Sequence, residues 1–311
     1  MDIRNIGKSG LRVSAVGLGC NNFGRALDVE AARKVVHKAL DLGITLFDTA
    51  DIYGDKGGSE EQLGAILGAR RKEIVLATKF GMPMSETKVG ASRRYIAEAV
   101  EDSLRRLKTD WIDLYQLHQP DPLTPIEETL RALDDLVRAG KVRYIGCSNL
   151  KAWQVVDAAW TAKSEGLNAF ISAQDEYSLL ARGIEADLIP ALEDKGMGLL
   201  PYFPLASGLL TGKYKHGGDA PKGTRMAAIK RLADRFMTEE NWKIVDALQA
   251  FCDARGRSLL ELAFGWLLSR PVLSSVIAGA TKPEQVEANA NAASWKLSAE
   301  DLAEIDAIAK R

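Results

Sequence analysis

Thr45-Leu46-Phe47-Asp48-Thr49-Ala50-Asp51-Ile52-Tyr53-Gly54 is the stretch on which the fold turns. An apolar run over residues 44–47 ends abruptly in Asp48, and Tyr53 follows five residues later. A buried strand that delivers polar groups only at its carboxyl end is what the rim of a barrel enzyme requires. Working outward, apolar strand segments fall at residues 15–19, 44–48, 74–78, 112–118, 142–147, 169–174, 197–202 and 273–278. Between them lie helical patterns at 29–42, 60–67, 92–107, 152–163 and 184–193, and one that Thr124-Pro125 caps and opens and Gly140 ends. Further helices are expected at 239–255, 259–268, 284–293 and 299–309. Eight strands alternating with helices predict a parallel sheet closed into a (β/α)8 TIM barrel. An open doubly wound sheet leaves the eightfold count unexplained. Residues 3–16, alternating in polarity around Gly7, Ser9 and Gly10, predict an N-terminal β-hairpin, and 299–309 a C-terminal helix. No composition break divides residues 1–311, so a single domain is expected. Residues 205–237, rich in glycine, read as one long irregular segment on the active-site face.

Composition narrows the class of function. Lys plus Arg number 41 against 42 Asp plus Glu, which provides no field for nucleic acid or an anionic membrane. No stretch approaches the ~18 consecutive apolar residues of a membrane span. Three scattered cysteines without a CxxC pair argue against a zinc site or disulfide framework, and suit a reducing compartment. Without a basic, then apolar leader at Met1, a cytoplasmic location is expected.

The strand ends carry the chemistry. Asp48 ends the second strand, Lys79 the third and His118 the fourth, with Tyr53 just beyond Asp48. Singly, each suits a structural role better than a catalytic one; four polar groups from three consecutive strand ends point to one site. Tyrosine has a free pKa near ~10. A neighbouring Lys⁺ is expected to lower it, with a carboxylate holding the lysine, so Asp48, Lys79 and Tyr53 read as a tuned general acid. His118 is suited to orient a substrate carbonyl by hydrogen bonding. None of the four supplies electrons, so carbonyl reduction requires a hydride-carrying cofactor.

Residues 48–54 followed by Ser59-Glu60-Glu61-Gln62-Leu63-Gly64, then 107–118, 143–149 and 202–214, resemble the signatures of the aldo-keto reductase family. The resemblance runs over nearly the whole chain. It implies the (β/α)8 barrel, a catalytic tetrad of Asp48, Tyr53, Lys79 and His118, and extended binding of NADP(H), with NAD(H) as the alternative. Ser148, Asn149 and Gln174 are implied to hold the nicotinamide carboxamide, and Tyr202 to stack on the ring. Pro204, Leu205, Ser207, Gly208, Leu210 and Lys213 are implied to line the pyrophosphate, with Gly279, Thr281, Lys282, Gln285 and Asn289 at the adenosine end. Position 285 is arginine in some branches of the family, and Phe203 and Asp175 stand where serine and asparagine are common. Gly17-Leu18-Gly19-Cys20-Asn21-Asn22 lacks the third glycine of a Rossmann fingerprint, and Gly208–Lys213 lacks Walker spacing.

The activity implied is interconversion of a small aldehyde or ketone with its alcohol, without metal, nucleic acid or membrane. Loop residues Phe23, Phe80, Met82, Met84 and Phe203 suggest an apolar substrate pocket. Two other readings use the same residues. A strand-end lysine also serves Schiff-base lyases, although Asp48 is expected to keep Lys79 charged. A cofactor-bound redox sensor or regulatory subunit would keep the fold with little turnover, as some relatives act with ion channels.

Overall fold

The computed structural model describes residues 1–310. Strands β1 (Ile3–Asn5) and β2 (Arg12–Ser14) pair antiparallel as the expected hairpin. Eight parallel strands follow: β3 (Val16–Gly19), β4 (Leu46–Asp48), β5 (Val75–Phe80), β6 (Ile112–Leu117), β7 (Val142–Ser148), β8 (Phe170–Gln174), β9 (Gly198–Leu199) and β10 (Val276–Gly279). They hydrogen-bond in the order β10-β3-β4-β5-β6-β7-β8-β9. Just before β10, Leu199 N–H donates to Val272 O at 2.8 Å and Ser274 N–H to Leu199 O at 3.0 Å, closing the ring. The expected (β/α)8 barrel is the fold.

Leu46, Ala77, Leu114, Leu200 and Ile277 cluster with Ile6 and Val13 of the hairpin. The hairpin thus plugs one end of a packed barrel, leaving the strands' carboxyl ends to build the site. Fully burying a side chain of this kind is worth about 1.5–3 kcal/mol.

Helices form the outer layer: α1 (Val29–Asp41), α2 (Tyr53–Leu67), α3 (Arg93–Leu107), α4 (Ile126–Arg138), α5 (Ala152–Glu165) and α6 (Leu188–Lys195). Asp28 caps α1, its Oδ1 accepting from Ala31 N–H at 2.8 Å. The buried face of α1 is Ala32, Val35, Val36, Ala39 and Leu40, with Ala31 and Leu42 at its margin. Thr124 does not cap α4: its hydroxyl donates to Asp121 Oδ2 at 2.7 Å, and Pro125 occupies the cap position. The expected helix at 184–193 is a short turn, Gly183–Glu185, followed by α6. Pro190 accounts for this, because proline is tolerated only in a helix's first turn.

The seventh barrel strand is shorter than the expected 197–202. Pro201 has no N–H to donate, so regular pairing stops at Leu199 and resumes as an isolated bridge at Tyr202. The segment 205–237 is also less irregular than expected. It holds a turn of 3-10 helix, Ala206–Thr211, and two short helices, α7 (Arg225–Ala228) and α8 (Lys230–Phe236). Elements this short leave no helical period to read in the sequence. Helices α9 (Glu239–Asp253), α10 (Leu259–Leu268), α11 (Pro283–Ala292) and α12 (Ala299–Ile308) complete the chain. Among the described residues, no helix is long and apolar enough to cross a membrane.

Candidate active site

Asp48 is the last residue of β4, Lys79 lies one residue from the end of β5, and His118 directly follows β6. Parallel register carries these positions to one rim. Lys79 is 0% exposed and Asp48 3%. Lys79 Nζ donates to Asp48 Oδ2 at 2.7 Å and to Thr49 O at 2.8 Å. The other carboxylate oxygen accepts from Gln174 Nε2 at 2.9 Å and from Gln116 Nε2 at 3.3 Å. Asp48 therefore has charge-assisted donors on both oxygens.

Tyr53 is brought over this pair by a left-handed turn. Gly54 has φ 68°, and a Cβ there would lie 2.5 Å from both Phe23 O and Ser59 N. Asp55 and Lys56 also have positive φ, a strained conformation for residues with side chains. Regular helix begins only after Gly57, although Tyr53 opens α2. Lys79 Nζ stands 5.0 Å from the Tyr53 ring centroid, and the His118 ring meets Tyr53 edge-on at 5.7 Å and 84°.

Ser59 and Glu60, the next residues of the same motif, brace the turn from below. Ser59 Oγ lies 2.8 Å from both Cys20 O and Thr49 Oγ1, while Glu60 accepts from Thr78 Oγ1 at 2.5 Å and Arg106 Nε at 2.7 Å. Asp51 is buried behind them with no partner for either oxygen among the described residues. Burial, followed by the charge of Glu60, pushes its carboxyl up to about 7.

The electrostatics refine the general-acid reading. Burial pushes the Tyr53 phenol above its usual range; Lys79 pulls it down and Asp48 pushes it up. The expectation that Lys79 lowers the Tyr53 pKa is right about the pull and wrong about the net direction, because removing the phenolate from water outweighs it. Lys79 stays charged: burial opposes this, but Asp48 and Tyr53 together hold it above its ordinary value. Burial, aided by Lys79, drops His118 to about 3. It is a neutral imidazole at pH 7, and its Nδ1 is buried without a partner among the described residues. Tyr53 and His118 both line a cavity of about 880 Å³ at the barrel mouth.

That cavity also gathers most of the expected cofactor contacts. Ser148, Asn149, Gln174, Tyr202, Pro204, Leu205, Ser207, Gly208, Lys213, Gly279, Thr281, Gln285 and Asn289 line it. Leu210 is buried in the core, and Lys282 is an exposed cap residue of α11; neither is in the wall. Ser148 Oγ donates to Gln174 O at 2.7 Å. Asn149 bridges two sides of the rim, its Nδ2 donating to His118 O at 3.0 Å and its Oδ1 accepting from Tyr202 OH at 2.9 Å. These ties orient the carboxamide candidates before any ligand arrives. Gln285 Oε1 accepts from Thr281 N–H at 2.7 Å, so this side chain closes the start of α11.

The segment after Tyr202 suits a dinucleotide's phosphates. Phe203, Ala206 and Ser207 all have positive φ, and Ser207 Oγ is buried without a partner among the described residues. Gly208, at φ 99°, packs under Lys213 so closely that a Cβ would lie 2.8 Å from Nζ. A strained backbone, an orphan hydroxyl and a lysine without a carboxylate partner among the described residues fit a phosphate-bearing cofactor.

Of the expected apolar pocket residues, Met82 and Phe203 line the cavity, but Phe23 and Phe80 belong to the core and Met84 is outside the wall. Three further contributors escaped sequence reasoning. Gln116, a lone amide inside the apolar run of β6, could have been noticed as an inward polar group. Arg225 and Arg231 come from helices too short to carry a signal.

Comparison with known proteins agrees with this fold. The model of the Aldo/keto reductase family matches residues 15–310. The chain is 39% identical to a probable voltage-gated potassium channel subunit beta from Arabidopsis thaliana, over 94% of this chain and 91% of that one. It is 36% identical to an L-glyceraldehyde 3-phosphate reductase from Escherichia coli K12, covering 98% and 92%. An aldo-keto reductase from Bacillus subtilis is 36% identical, covering 99% and 93%.

Proposed function

The chain belongs to the aldo/keto reductase family and is a carbonyl/alcohol oxidoreductase, and from that premise we propose that it reduces an aldehyde or ketone with NADPH, Tyr53 being the proton donor. The observation that carries this reading is the convergence of Asp48, Lys79, Tyr53 and His118 on one cavity. A bound reduced nicotinamide supplies the hydride. His118, neutral and edge-on to Tyr53, orients the substrate carbonyl by donating a hydrogen bond. Tyr53 transfers its phenolic proton to the carbonyl oxygen as negative charge develops there. Lys79 then stabilises the phenolate left behind, and Asp48, held by Gln116 and Gln174, keeps that ammonium charged and in place. In the alcohol-oxidising direction the same phenolate accepts the proton. Ser148, Asn149, Gln174 and Tyr202 are the proposed nicotinamide contacts, and Ser207, Gly208 and Lys213 the proposed pyrophosphate contacts.

The test is NADPH oxidation by the purified protein across aldehydes, ketones, ketoses and quinones, with NADH in parallel. Steady consumption with a carbonyl, and more efficient use of NADPH, is the expected result. A second reading has its own support in the relatives named potassium channel beta subunits: a cofactor-bound regulatory subunit with little turnover. Tight NADPH binding without consumption by any carbonyl would favour it. Borohydride trapping of a substrate on Lys79 would instead revive a Schiff-base lyase, which the charged state of Lys79 disfavours.

A further inference from the structure

The chain that leaves the proposed phosphate segment is fastened to α9 through one side chain, His216. Its path begins at Gly208, where a Cβ would lie 2.8 Å from Lys213 Nζ and 3.4 Å from Tyr214 Cε2. Tyr214 is buried, and Lys213 Nζ stands 5.2 Å from its ring centroid, so the lysine is seated on the tyrosine. Just beyond, both ring nitrogens of His216 meet carboxylates of α9. Nδ1 lies 2.8 Å from Asp246 Oδ2, and Nε2 lies 3.1 Å from Glu239 Oε2. The same ring stacks on buried Trp242, with centroids 5.2 Å apart and planes 8° from parallel. Glu239, Trp242 and Asp246 follow the helical period, so one face of α9 holds the imidazole on two edges and one side.

The two carboxylates decide what this contact requires. A neutral imidazole has one N–H donor and one acceptor nitrogen, so it satisfies one acid and turns a lone pair toward the other. The imidazolium donates to both. The hydrogen bonds from Asp246 and Glu239 accordingly raise His216 above its ordinary 6.5; desolvation opposes them and the charges of the two acids add to them. The other charged residues nearby in the chain are Lys213 and Lys215 before the histidine, and Glu240 and Lys243 on α9. Among the described residues none of these pairs with His216, Asp246 or Glu239. Because the folded pKa lies above the unfolded one, the stabilisation is complete below about 6.5 and is lost as pH rises through the folded value.

We propose that His216 is a pH-sensitive clasp: as the imidazolium it pins the strap carrying Lys213 to α9 and retains the bound dinucleotide, and as the neutral ring it lets the strap loosen and the dinucleotide leave. The proposal rests on the cofactor-binding reading above and adds to it a control on release. His216 is itself outside the cavity wall, whereas Lys213 lines it, so the effect on the cofactor runs through the seating of Lys213 on Tyr214 and Gly208. Protonation governs how long the strap stays shut and leaves the catalytic residues untouched.

The test has two arms, each run on the parent, His216→Gln and His216→Arg at about pH 6 and about pH 9, on either side of an ordinary histidine. The first measures amide-exchange protection of residues 212–218 without cofactor. The second measures the NADPH dissociation rate by stopped-flow fluorescence. Rates are compared with those of His216→Gln at the same pH, which cancels ionisation of the cofactor's own phosphate. At the lower pH the parent should release NADPH about 2- to 5-fold more slowly than His216→Gln, the scale of an exposed ion pair. At the higher pH the two should match. His216→Arg, charged throughout, should release slowly at both, and strap protection should follow the same order. A parent-to-Gln ratio that does not change with pH overturns the clasp and leaves cofactor binding intact. So does His216→Arg behaving as His216→Gln does, or strap protection that follows pH while NADPH release ignores it. Failure of the parent to bind NADPH removes the cofactor reading and the proposal together.

Discussion

Asp48→Asn probes the buried pair beneath Tyr53 with almost no change of shape. The carboxylate accepts from Lys79 on one oxygen and from Gln174 and Gln116 on the other. Asparagine offers one acceptor oxygen and one NH₂ group. Whichever way it turns, that NH₂ faces either an ammonium or two amide donors, and Lys79 loses its carboxylate. Removing one partner of a buried ion pair costs about 3–5 kcal/mol, and we expect urea unfolding near neutral pH to show a loss of that size.

The dependence on pH supplies a sharper check. In the parent, Lys79 is held above its ordinary 10.5 although burial opposes this, so its stabilisation is complete below that value and fades only as pH rises through the higher folded pKa. In the variant the burial remains and the carboxylate is gone, so the folded pKa falls below the unfolded one. Stability of the variant should then rise as pH climbs from the depressed pKa toward about 10.5, by up to about 1.4 kcal/mol per pH unit. Urea unfolding of both proteins at about pH 7 and about pH 9.5 measures this. The gap between them should be widest near neutrality and narrower at the higher pH. A gap that stays constant, or one below about 1 kcal/mol at neutral pH, would refute the argument that Asp48 is what keeps Lys79 charged.

Tyr53→Phe removes the proposed proton donor and should lower kcat by about 10²- to 10⁴-fold, while the NADPH Kd from fluorescence titration stays near that of the parent. Near-normal turnover would exclude Tyr53 as the acid. His118, at about 3, should contribute no limb to the kcat/KM profile between about pH 5 and about pH 8, because the ring is already neutral across that range. A limb near ~6.5 that disappears in His118→Gln would contradict this. Lys282→Ala should raise the KM for NADPH by about 2- to 5-fold and that for NADH by less, since an exposed ion pair contributes no more than about 1 kcal/mol. The reasoning is that an ammonium at the N-terminus of α11 suits the 2′-phosphate that distinguishes NADPH from NADH, and equal effects on both cofactors would count against such a contact.

The amino-acid sequence by itself determined the barrel and picked out the four candidate catalytic positions. Eight apolar runs of strand length set the fold, and a polar residue closing such a run is visible without coordinates: Asp48, Lys79 and His118 each interrupt a strand just as it reaches the rim. Tyr53 was legible from its place five residues beyond Asp48, whereas the left-handed turn at Gly54 that follows it was seen only in the structure. What only the tertiary structure decided depends on which groups meet across the barrel and how much water they keep. Gln174 looked like a cofactor contact and proves also to hold Asp48, from a strand 126 positions away in sequence. Gln116 joins it there. Lys79 was expected to bring the Tyr53 pKa down, and burial reverses the net direction, because desolvation is a property of the folded interior and not of any residue pair. Arg225 carries no motif and sits on a four-residue helix; only the folding of that segment places it in the wall of the cavity that Tyr53 also lines. Periodicity and residue type specify the local elements, whereas charge balance inside a cavity exists only once distant segments enclose it.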